Sequence, residues 1–322
     1  MDKDLNKILV AKIAGCIPSH VKLIDYVTDT LGITIQSAYR RIRNEIPFTF
    51  EEISKLSRAL HFSVDEVIGL EHNKQALFEL QGKVSFTPLE TFSVMLDRYR
   101  VYLLRMYEAK EKEWITTMNH LLPLFSVGSD HLFRFFYYKW IHQISKVPIN
   151  YYFSEVTVPA EIRVLYEEIG HYSQRIGNAA YIIDRNLFLN TVKELQYYYK
   201  RGLISDEEIG LIKNTLSNAV DYMEKLIREG ANGLGISSLF YLSSVGIETN
   251  STYMKYDEIT ESYFWIYMAA PINTHNKEVC SMHKKWLDSL KKYTVLITQS
   301  NEKLQSEFID EQRKSIDRIT YI

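Results

Sequence analysis

Gln36, Ser37, Arg40, Arg41, Arg43 and Asn44 fall in one nine-residue window. At about 100° per residue along a helix, all six lie away from the inward cluster formed by Ile35, Ala38 and Ile42. The outer face therefore carries three arginines and three neutral polar residues, and Glu45, at the helix end, is its only neighbouring acid. Arginine can hydrogen-bond guanine through two N–H groups, and glutamine or asparagine can do the same for adenine. In helix-turn-helix proteins the N-terminal part of the second helix is the part that reaches base edges. Gln36, Ser37 and Arg40 are accordingly expected to read bases. Arg41, Arg43 and Asn44 are expected to contact phosphates and fix the docking.

Other reactive side chains are more scattered. His275, Cys280 and His283 lie within nine residues, but a zinc site needs three or four ligands and no second cluster exists. They are read as one thiol and two imidazoles near a helix, and no metal is expected. His131, His142 and His171 are isolated. No GxGxxG, Walker loop, HExxH or GxSxG occurs. The glycines of Gly230–Gly235 follow a helix rather than a strand and suit a helix cap. Neither a cofactor nor an enzymatic reaction is expected. Aromatic residues are dense around residues 133–140, 197–199 and 263–267. Most belong to core packing, but Trp140, Tyr151, Tyr152, Trp265 and Trp286 are candidates for the wall of an effector pocket.

The elements that must position the arginine face are helices. Leu5, Ile8, Leu9 and Ile13 make a first stripe, ended by Gly15 and Pro18. Ser19 can cap a second helix with Val21, Ile24, Val27 and Leu31 on its inner side. Gly32 suits a left-handed cap, and Thr34 can cap a third helix over 35–45. Ala38 is small where two helices must cross. Thr49 with Glu52 forms a capping box for a fourth helix, and Ser63 with Glu66 one for a short fifth.

Taken together, LIDYVTDTLGITIQSAYRRIRNEIPFTFEEISKLSRALHFSVDEVIG resembles the lambda-repressor-like, or Cro/repressor-type, helix-turn-helix domain. LGIT matches the turn, QSAYRRIRNE the recognition helix and FTFEEISKLSRALHFSVDEVIG the closing helices. Leu23-Ile24-Asp25 departs from the family, which often carries alanine near that point. AYRRIRNE is also similar to a group of regulators from Bacteroidetes-type bacteria. The resemblance implies a DNA-binding transcriptional regulator, commonly dimeric, and covers about residues 5–70 only. Two recognition helices in successive major grooves would favour a homodimer on double-stranded DNA.

The remaining chain is read from periodicity and composition. The expected domains are 1–72, a helix-turn-helix domain; 73–87, a linker; and 88–322, a larger sensing or oligomerisation domain. Helices are expected at 88–119, 129–145, 159–178, 184–201, 205–229 and 276–311. Residues 236–268 are rich in β-branched and aromatic types, so a small β-hairpin or sheet is expected there. The expected fold class is thus mostly α, with 13 glycines and 7 prolines in 322 residues arguing against a turn-rich β fold. The alternative function is a helical scaffold that binds a protein or peptide. A small-molecule or peptide effector fits either reading.

The formal charge of -2 excludes a bulk polycation. Through residue 72, nine basic and ten acidic residues sum to -1, yet three of the nine fall within four residues, Arg40 to Arg43. Cys16 and Cys280 are too few for a disulfide framework. The long uncharged stretches are broken by Pro123 or by several glycines, so no membrane span is expected. The compartment is expected to be the cytoplasm.

Overall fold

The computed structural model describes residues 5–17, 21–60, 62–64, 67, 76–80, 87–121, 125, 130–267 and 270–320. The chain divides into two compact units, Met1–Leu77 and Phe78–Ile322.

In the first unit, α1 is Leu5–Cys16, α2 Leu23–Leu31, α3 Ile35–Ile42 and α4 Phe50–Leu60. Their inner faces meet around Leu9, Ile13, Val27, Leu31, Ala38, Phe48 and Leu56. Ala38 is fully buried, so α3 can approach α2 closely. Gly32 ends α2 with a left-handed φ of 66°, and its N–H donates to the Thr28 carbonyl at 2.9 Å. The Thr34 hydroxyl then accepts the Ser37 N–H at 3.3 Å and starts α3. Thr49 and Glu52 cap α4 reciprocally. The caps expected at Ser19 and Glu66 lie outside the described residues, as does most of the expected fifth helix. α3 is shorter than expected: it stops at Ile42, and Asn44 takes a φ of 60°. Asparagine tolerates that conformation, which ends the helix before Pro47.

The second unit is built on an eight-stranded sheet, and this corrects the mostly α expectation: the fold is α/β. Along the chain come β1 (Glu79–Leu80), α5 (Pro88–Glu108), β2 (Lys112–Met118), α6 (Asp130–Ile144), α7 (Ala160–Ser173) and β3 (Ala179–Ile183). Then follow α8 (Leu187–Tyr199), α9 (Asp206–Glu229), β4 (Ser238–Ser243), β5 (Ser251–Tyr256), β6 (Ile259–Tyr267) and β7 (Ala270–Thr274). The last elements are α10 (Lys277–Leu290), β8 (Thr294–Leu296) and α11 (Glu302–Asp317). The strand order is β1-β7-β6-β5-β2-β3-β4-β8. Strands β2, β3 and β4 run parallel, with Trp114, Ala179 and Ser238 in register, and every other neighbouring pair is antiparallel.

Alternation along the strands separates two faces. Trp114, Met118, Tyr181, Ile183 and Phe240 join a large core with residues of α5 to α9 and α11. Ile115, Ala180, Ile182 and Tyr253 face Cys280 and Leu287 of α10. The expected linker 73–87 includes Glu79–Leu80, which pair with β7. The helix expected over 88–119 ends at Glu108, because the N–H groups of Lys110 and Glu111 turn to the Asp257 carboxylate at 3.1 Å each. Residues after it form the central strand β2. The helix expected over 276–311 is also split, by β8 and the turn before α11. The strands expected at 236–268 exist, but as members of the large sheet rather than a separate hairpin. Among the described residues, no helix is long and apolar enough to cross a membrane.

Candidate functional site

The α3 surface is the first candidate. Gln36, Arg40 and Arg43 are exposed, and Asn44 is half-buried. Arg40 lies 3.7 Å from Glu45 in an open ion pair, a contact that water screens heavily. The Arg43 guanidinium sits 5.3 Å from the centre of the Tyr39 ring. Ile35 is 55% exposed and Tyr39 44%, so the face is more apolar than expected, and Ile35 is not part of the inner cluster.

Arg41 is placed differently from the expectation. Its Nε and Nη2 donate to the two carboxylate oxygens of Glu52 at 2.8 and 2.7 Å. Its Nη1 donates to the Ser37 hydroxyl at 2.6 Å and to the Ser37 carbonyl at 3.2 Å. Only 12% of the side chain is exposed. Arg41 therefore braces α3 against the start of α4, and Ser37 is held in the same network. Burial pushes the Glu52 carboxyl up, but hydrogen bonds from Arg41 and the Thr49 N–H, with the Arg41 charge, hold it below the usual carboxylate range. In the sequence, Glu52 already had a role as a capping residue, and nothing in its spacing announced the second one.

The second candidate lies where the sheet changes direction. β4 is separated from β2 by β3, yet the next strand, β5, lies on the other side of β2. The connection over residues 244–250 must pass the C-terminal ends of β3 and β2. Side chains at those ends hold it in place. The Asp184 carboxylate accepts the Ile247 N–H at 2.9 Å. The Asn119 amide donates to the Ile247 and Glu248 carbonyls at 2.9 and 2.8 Å. The Asn250 amide oxygen accepts the Asn119 N–H at 2.8 Å, and its nitrogen donates to the His120 carbonyl at 3.1 Å. A crossing of this kind opens a crevice at the carboxyl ends of strands, the usual place for ligands in α/β sheets.

A cavity of about 230 Å³ occupies that crevice. Asn119 and His120 line it beyond β2, Phe133, Phe136, Lys139 and Trp140 from α6, and Trp265 from β6. Phe92, from α5, packs 5.1 Å from Trp140, centre to centre. Lys139 is buried and donates to Glu194 of α8 at 2.6 Å. Burial lowers the Lys139 pKa, against the opposing charge and hydrogen bond of Glu194. Burial also lowers the His120 pKa, in which the charge of Lys139 assists while Glu194 and Asp184 oppose.

Of the five aromatic candidates, Trp140 and Trp265 meet at this cavity. Tyr151 packs instead with Tyr138 and His142. Tyr152 is 44% exposed on the segment before α7. Trp286 stacks on His283 at the opposite face of the sheet. Asn119, His120 and Lys139 were not singled out by the sequence. The one available signal was Lys139, a lone cation inside the aromatic run FRFFYYKW. The residues of the CxxH step separate: the Cys280 thiol donates to the Thr274 carbonyl, and His283 bridges Ser251 and Ser262.

Comparisons with family models, with curated proteins and with solved structures find no match to this chain.

Proposed function

We propose that the chain is a sequence-specific regulator of transcription that places α3 in the major groove of double-stranded DNA, as a homodimer. The observation that carries this reading is the Gly32-capped turn between α2 and α3, which leaves Gln36, Arg40 and Arg43 exposed on a helix braced from behind by Arg41 and Glu52. Gln36 and Arg40 are assigned to bases, and Arg43 to phosphate. Asn44, in the turn after α3, is also assigned to phosphate. Ser37 and Arg41 support the helix. The second unit is assigned to sensing a ligand at its cavity. A peptide-binding helical scaffold is less well supported, because the helices of that unit share their core with an eight-stranded sheet.

The test is selection of duplexes from a random library with the full chain, followed by binding of the selected sequence. Arg40→Ala is expected to weaken specific binding by about 1–3 kcal/mol and relax one base position. Arg43→Ala is expected to weaken all sequences alike. Arg41→Ala is expected to act through stability, costing about 1–3 kcal/mol because Glu52 is left half-buried without its partner. Unchanged duplex affinity in the Arg40→Ala/Arg43→Ala double variant would overturn the reading.

A further inference from the structure

The protonation and hydrogen bonding of the groups lining the cavity restrict what it can hold. Asn119 uses its amide N–H groups on two carbonyls, at 2.9 and 2.8 Å, which fixes which end of the amide is oxygen. That oxygen lies 2.8 Å from His120 Nδ1. An amide oxygen accepts and cannot donate, so Nδ1 carries the proton. In the neutral ring Nε2 then holds a free lone pair, and no hydrogen-bond partner meets it among the described residues. Burial favours that neutral ring.

Charge at the cavity is balanced or negative. The Lys139 ammonium is matched by Glu194 at 2.6 Å, so it offers an incoming anion little net attraction. The exposed carboxylate of Glu248 at the same lining repels one. Phe92, Phe133, Phe136, Trp140 and Trp265 supply the aromatic part of the contact surface, beside aliphatic side chains and the polar Gln143 and Thr249. Aromatic rings pack best against other rings, offset or edge-on. The volume of about 230 Å³ falls below that of pockets for drug-sized molecules, which suits one or two fused rings.

We infer that this cavity binds a small, uncharged, planar aromatic molecule that donates one O–H or N–H hydrogen bond to His120 Nε2. The inference deepens the sensing role assigned to the second unit and rests on it, but not on DNA binding. Asn119 is the positioning residue, since it sets the tautomer of His120.

Calorimetry on the full chain with three probes that share one naphthalene ring system tests it: 2-naphthol, its methyl ether and 2-naphthoate. The naphthol is expected to bind about tenfold more tightly than the ether, which cannot donate. The naphthoate is expected to bind most weakly. His120→Leu should remove the preference for naphthol over ether, and Trp265→Ala should weaken all three. Equal affinity of naphthol and ether for the unaltered chain, preference for the naphthoate, or no binding by any probe overturns the inference. The selected duplex is then titrated with and without naphthol. Naphthol binding that leaves duplex affinity unchanged supports the cavity chemistry and overturns the sensing role.

Discussion

His283 shows how a single buried side chain ties stability to pH. Its Nδ1 lies 2.9 Å from the Ser262 hydroxyl and its Nε2 3.0 Å from that of Ser251, with Phe264 and Trp286 against the ring. Hydroxyls can satisfy a neutral imidazole from both sides, one accepting and one donating. They offer no carboxylate to a charged one. Burial pushes the His283 pKa down to about 4, from the ordinary 6.5. The folded state therefore prefers the neutral ring, and the stability this represents is complete above about pH 6.5. It is lost as pH falls toward about 4, because the unfolded chain takes the proton first. Between pH 8 and pH 5 the loss from this group alone is expected to be about 2 kcal/mol. Urea unfolding at both pH values measures it, with His283→Gln as reference. A variant that loses as much stability as the unaltered chain would show that His283 does not carry the effect. The same logic of environment over residue type separates Arg41 from Arg40 and Arg43. All three are arginines of one helix region, yet Glu52 has taken one of them out of the exposed face.

At the scale of elements, what could be read from the sequence depended on whether a local signal existed. The caps at Thr34, Thr49 and Ser205 are formed by neighbours a few residues away, and each starts a helix. The stripe Phe92, Leu96, Tyr99, Leu103, Met106 is buried along α5 as its spacing implies. β2 gave no such signal. It is buried on both faces from Trp114 to Met118, so its run lacks the apolar–polar alternation of a half-exposed strand and passed for the end of a helix. β3 is five buried residues, AAYII, too short to be distinguished between two helices. The cavity was half legible: the tryptophans stood out by type, whereas Asn119 meets Asn250 across 131 residues and Lys139 meets Glu194 across 55. The α2–α3 turn is the most local element of all, and its strength can be tested. At Gly32 an added Cβ would meet nothing within 4 Å, so Gly32→Ala costs only the backbone strain of a φ of 66°. That strain is expected to lower the stability of the first unit by about 1–2 kcal/mol. Thermal unfolding of the full chain measures it, and Gly32→Asn should recover part of the loss. Alanine as stable as glycine would mean that the turn does not require the left-handed conformation.

The scale of the whole molecule decides how such a chain could hold DNA at all. The first 72 residues sum to -1, and one of the three arginines between residues 40 and 43 is neutralised by Glu52. One copy therefore presents little exposed positive charge near α3, namely Arg43 and Arg40, the latter in an open ion pair with Glu45. Each neutralised phosphate contributes about -0.9 to the slope of log affinity against log salt. A single copy should bind non-specific duplex weakly and with a shallow slope. Two copies double the phosphate contacts and join the base contacts of two α3 helices, so affinity rises steeply without any further basic surface. The homodimer proposal then has three linked consequences. The selected duplex should be a two-fold-symmetric sequence with half-sites about 34 Å apart, or a multiple of that distance. Binding should be second order in protein at concentrations where the free chain is monomeric. The salt slope on the full site should be about twice that on an isolated half-site. Gel-shift titrations across a salt series, with sedimentation of the free chain, measure all three. An unsymmetrical selected site, bound by one copy with the same slope as its halves, would leave the α3 assignment standing and remove the dimer.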